Sequence, residues 1–61
     1  MGRQVRASDA DREAVIRRLG QALTEGRITV SEFDERVRAA CAAKTLDQLE
    51  VLTDDLPRIL W

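Results

Sequence analysis

The sequence predicts an all-α fold, a compact three-helix domain with helices over about 9–25, 30–43 and 46–55, and three observations predict it. Ser8 with Asp11, Thr29 with Glu32 and Thr45 with Gln48 are three helix-start pairs. In each, the first side chain can accept a free backbone N–H of the opening turn, and in the two threonine pairs the partner three places on completes a capping box by reaching back. Gly26 and Pro57 stop the pattern where the apolar periodicity ends. Between these signals, apolar residues recur three and four apart, the spacing of one helix face. Helices this short are not stable alone in water, so they must pack on one another.

Helix one carries Val15, Ile16, Leu19, Ala22 and Leu23 on one stripe, and Asp9, Asp11 and Glu13 suit its positive end. Gly26 ends it because glycine takes the left-handed conformation without a Cβ penalty. The chain then restarts at once. Thr29 and Glu32 form a capping box, and Ile28 just before the cap can touch Phe33 at the fourth helical position, a hydrophobic staple that sets the angle of entry. Phe33, Val37, Ala40 and Cys41 continue the apolar face, with Val30 near its start. Helix three places Leu46, Leu49, Leu52 and Leu56 on one stripe, and Pro57 cannot extend it. The expected core is Val15, Ile16, Leu19, Leu23, Ile28, Phe33, Val37, Leu49 and Leu52, with Phe33 near the centre of the corner. Residues 1–7 read as an N-terminal arm, 8–57 as the domain, and 58–61 as an apolar tail or trimmed linker.

At 61 residues the chain lies near the lower size limit for folding without staples. With 44% apolar and 34% charged residues and nine arginines among ten basic side chains, it reads as an ordered helical domain. A single cysteine rules out an internal disulfide framework and points to a reducing compartment, so the cytoplasm is expected. No apolar run approaches the roughly eighteen residues that span a bilayer. Arg3 and Arg6 are followed by polar residues, not by the apolar region of a secretory signal.

Catalysis has little to work with. Histidine and tyrosine are absent, and Cys41 sits among alanines with no neighbouring cation, so it is expected to point inward and be inert. No enzyme activity and no cofactor are expected. Asp9, Asp11 and Glu13 imitate the first calcium-loop positions, but Ala14 and Gly20 stand where a glycine and a glutamate are needed. The three glycines are isolated and cannot cradle a phosphate.

Nucleic-acid binding is the alternative function, since a glycine-containing turn between two helices has the outline of a helix-turn-helix. The outer face of helix two would present Ser31, Glu32, Asp34, Glu35 and Arg38, and helix three Asp47, Gln48, Glu50 and Asp54, so either helix would bring carboxylates to phosphates. Only the arm and helix one are basic, through Arg3, Arg6, Arg12, Arg17 and Arg18. One local rule is broken: Asp54 and Asp55 lie at the negative end of helix three, and Glu50 with Asp54 is a like-charge pair one turn apart. Arg6, Arg36 and Arg58 are the candidates to offset them.

Taken together, "RASDADRE", "EGRITVSEFDERV", "AAKT" and "TDDLP" resemble the SHOCT-like domain of unknown function 1707 over residues 6–57. The chain departs from that pattern at Lys44, where arginine is common, and by ending at Trp61. The resemblance implies a small actinobacterial module that usually stands N-terminal to a linker and membrane segments or to another soluble domain. From it follows the expectation of a non-enzymatic interaction or assembly module in the cytoplasm, at the inner face of the cell membrane. The expected partner is a protein, including a second copy as a homo-oligomer. Nucleic acid is disfavoured by charge, and a membrane span would belong to a longer parent. Arg6, Arg36, Asp55, Ile59, Leu60 and Trp61 are the candidate interaction residues; the apolar tail is expected against another chain, and folding back on the core or leading toward a membrane segment in a longer parent are its alternatives.

Overall fold

The three start signatures open three helices in the computed structural model of the chain, which describes residues 5–57. Ser8 is extended, its Oγ accepts from the Asp11 N–H at 3.1 Å, and the Asp11 carboxylate accepts from the Ser8 N–H at 2.9 Å, so helix α1 runs Asp9–Thr24. Thr29 and Glu32 exchange the same two bonds at 3.1 and 2.8 Å and open α2, Val30–Ala42. Thr45 and Gln48 open α3, Leu46–Glu50, and Gln48 Oε1 also accepts the Lys44 N–H at 2.6 Å. One glutamine thus closes both the short connection from α2 and the start of α3.

The corner between α1 and α2 is built as its residues require. Gly26 has φ 74°, its N–H donates to the Leu23 carbonyl at 3.0 Å, and the Arg27 N–H donates to the Ala22 carbonyl at 2.9 Å. These two bonds are the Schellman closure of a helix end. Ile28 is buried, and Phe33 packs against the cluster it belongs to.

The third helix differs from expectation. The span 46–55 is α-helical only to Glu50, then tightens into a 3-10 turn over Val51–Thr53 and ends in an irregular turn. A 3-10 turn repeats every three residues, so the switch brings Leu52 back close to the line of Leu49, on the side that Leu46 also borders. The Leu56 N–H closes the segment on the Thr53 carbonyl at 3.1 Å. At the other end of the chain, residues 5–7 lie antiparallel beside 44–46: Ala7 donates to the Lys44 carbonyl at 2.9 Å, Leu46 donates to the Val5 carbonyl at 3.0 Å, and Arg6 faces Thr45.

Two apolar clusters hold the elements together. Leu19, Ala22 and Ile28 are buried between α1 and the corner, with Val15, Leu23, Phe33, Val37 and Leu56 packed around them. Ala7, Ala40, Ala43 and Leu49 form the other, with Val15, Ile16, Leu46 and Leu52 against it. Val15 belongs to both. Of the nine expected core residues, Leu19, Ile28 and Leu49 are buried, and the other six are half-buried supports. Four alanines occupy buried positions that the expected core omitted.

Cys41 does not point inward; it is exposed. The buried residue of that turn is Ala40, at 0% exposure, and the next residue is rotated by about 100° around the helix axis. A thiol reagent should therefore label Cys41 in the folded protein without unfolding it, read by mass under native conditions. Phe33, half-buried, is likewise a rim residue of its cluster and not its centre. In denaturant titration Leu19→Ala should cost about 2–5 kcal/mol, much of the roughly 3–9 kcal/mol available to a domain this size. Phe33→Ala should cost less than Leu19→Ala.

Candidate functional site

Among the described residues, each of the three α-helices lacks a basic residue in its own last turn. Its terminal carbonyls and the negative end of its dipole are the places where a cation is most favourable. The cations arrive from neighbouring elements instead. Arg12, on the first turn of α1, donates from Nε and Nη2 to the Ala43 carbonyl at the end of α2, at 3.2 and 3.0 Å, while Nη1 reaches Asp9 at 3.0 Å. Arg36, midway along α2, donates to the Leu52 carbonyl at 3.1 Å and forms a two-point ion pair with Asp55, both bonds 2.9 Å. Arg27 pairs with Glu25, the cap of α1, at 2.9 Å.

Of the three arginines that could offset Asp54 and Asp55, Arg36 therefore takes Asp55. Arg6 is exposed beside Thr45, and Arg58 lies outside the described residues, as do Ile59, Leu60 and Trp61. The hydrogen bonds from Arg36 hold the Asp55 carboxyl below its ordinary range and raise the guanidinium in return, with partial desolvation opposing both shifts. Asp11 is lowered by the Ser8 N–H and hydroxyl, and Glu25 by Arg27 and then Gln21. These groups are joined to one another as structural ties. Among the described residues, no three metal-ligating side chains converge.

Two surface features are not tied up in this way. One is an uncharged shelf where α2 meets the 3-10 turn, a shallow depression of about 340 Å³ lined by Ala39, Ala42, Ala43, Gln48 and Val51. Val51 is 65% exposed there. The other is a groove between α1 and α3, with Val15, Leu46 and Leu49 among its lining residues, which opens past Arg18 and Glu50 toward Leu56. Arg18 Nη1 approaches the buried Thr53 hydroxyl at 3.5 Å, a long contact. The shelf had one sequence signal, the charge-free run from Ala39 to Ala43, and the groove had one in the like-charge pair Glu50 and Asp54.

The family model described as the DUF1707 SHOCT-like domain matches residues 5–57. Among curated proteins, the uncharacterized protein Rv0966c of Mycobacterium tuberculosis (strain H37Rv) is 38% identical over 52 residues, 85% of this chain and 26% of the relative. The uncharacterized protein Rv0048c of the same strain is 45% identical over 51 residues, 84% of this chain and 18% of the relative. The chain thus spans about a quarter or less of the length of these relatives. No solved structure matches it.

The Arg36–Asp55 tie should be visible in acid. Asp55 is more acidic folded than unfolded, so the folded state binds fewer protons. Its stabilisation is present in full above the ordinary value of 3.8 and is lost as pH falls through the depressed folded value. Thermal melts of the parent should accordingly fall more steeply below about pH 4 than those of Asp55→Asn, which is less stable at neutral pH and has less to lose; Asp11 and Glu25 maintain the remaining slope.

Proposed function

We propose that this chain, which belongs to the DUF1707 SHOCT-like domain family, is a non-enzymatic protein-interaction module that associates with a second copy of itself. The observation that carries this reading is the uncharged shelf of Ala39, Ala42 and Val51. Two such shelves can face one another across a two-fold axis without burying a charge. A contact made through the charged faces of α1 and α2 would instead take water from the exposed side chains of Glu13, Arg17, Glu32, Glu35 and Arg38. The alanines let two backbones approach closely, and each apolar Å² covered contributes roughly 25 cal/mol to a domain whose own stability is small.

A non-enzymatic role agrees with where the polar side chains are engaged. Ser8, Thr29, Thr45, Asp11, Glu32 and Gln48 close helix starts, and Arg12 and Arg36 close helix ends. Nucleic-acid binding by the arm and α1 is the weaker reading, because Arg12 and Arg18 turn toward the chain's own Ala43 and Thr53. We place the module on the cytosolic side of a longer, membrane-associated protein. In support, family members usually precede membrane segments, and the chain spans 26% and 18% of its two relatives.

Sedimentation velocity over a rising concentration series tests the reading. The parent should shift from monomer to dimer, and Val51→Glu combined with Ala39→Glu should remain monomeric with an unchanged helical circular dichroism spectrum. A parent that stays monomeric at the highest concentration would overturn self-association.

A further inference from the structure

With Arg36 assigned to Asp55, the groove between α1 and α3 still holds a pair of like charges. Glu50 and Asp54, like charges one turn apart, both line the end nearest Leu56, a recess of about 280 Å³ shared with Thr53 and Leu56. Arg18 is the single cation among the described residues that line it. Farther along, Val15, Leu46 and Leu49 offer an apolar floor, with Asp11 and Ala14 along its α1 side.

We propose that this groove is a docking site for the chain's own segment Arg58–Trp61, with Arg58 taken by Glu50 and Asp54, and Ile59, Leu60 and Trp61 laid on the apolar floor. Three features select this occupant. The first is position: the described residues end at Pro57, immediately after Leu56, which lines the acidic end of the groove. The second is reach. From Leu46 to Thr53 the α-helical turn and the 3-10 turn together advance roughly 13 Å, and four extended residues span roughly 13 Å. The third is the order of chemistry along the segment. A cation comes first, where the groove is acidic, and three large apolar residues follow, where it is apolar. This inference goes beyond the self-association reading and uses a different face.

Trp61 is the only tryptophan, so its fluorescence reports the seat directly. In the 61-residue chain its emission should lie at shorter wavelength than that of free tryptophan amide, and acrylamide should quench it several-fold less, at every protein concentration. Arg58→Glu should bring quenching close to the free value, as should Glu50→Lys with Asp54→Lys, and all three substitutions together should recover much of the protection. Should the double lysine variant lose helical circular dichroism, Arg58→Glu alone decides, since it leaves every described residue unchanged. Free-tryptophan behaviour in the parent, or no response to the charge changes, would overturn the proposal. Protection that appears only as concentration rises would overturn it too, by naming a second copy as the occupant. Val51→Glu, which disables the shelf, should leave Trp61 protected, so the two readings fail separately.

Discussion

A short helix leaves four N–H groups and four carbonyls without partners at its ends, and in helices of 16, 13 and 5 residues those ends are a large share of the whole. Closing them is the constraint on which the rest of this structure depends. The starts are closed from within, by Ser8, Thr29 and Thr45 and the side chains three residues later. The finishes of α2 and of the 3-10 turn are closed from outside, by Arg12 and Arg36. Because each of these arginines stands on a different element from the carbonyl it serves, closing an end also docks one element on another. Secondary and tertiary structure here form together, which suits helices too short to persist alone.

That arrangement explains the modest core. The two clusters meet at Val15 and rely on alanine as much as on leucine, with Ala22, Ala40 and Ala43 buried where helices approach closely. Small side chains contribute little transfer free energy, so the domain depends on ties at its ends more than a larger protein would. The strand-like pairing of residues 5–7 with 44–46 adds to this by fastening the lead into α1 across the α2–α3 connection, and it carries Ala7 into the core.

The same economy shapes the surface. With the capping side chains and two of the arginines engaged internally, the described surface also carries an uncharged shelf and a groove with an acidic end. Charge that looks misplaced along the sequence, such as Asp55 at the negative end of the third helical segment, is in place once Arg36 is opposite it.

What the sequence determined by itself was whatever is decided within four or five residues. The three capping pairs, the glycine stop at Gly26 and the Ile28–Phe33 corner were legible because each bond closes between near neighbours in the chain. The length of the third helix was less legible, since the switch at Val51 to a 3-10 turn keeps the same leucines on one side and leaves the apolar pattern almost unaltered. Only the tertiary structure decided which of three arginines meets Asp55, because Arg36 is 19 residues away, and that Arg12 serves Ala43, 31 residues on. It also decided that Ala40 is buried and Cys41 is not, and that a groove exists beside Glu50. Periodicity orients a face to within about one residue, or 100°. Which edge of that face is covered depends on the position of a neighbouring helix, and no local interaction encodes that position.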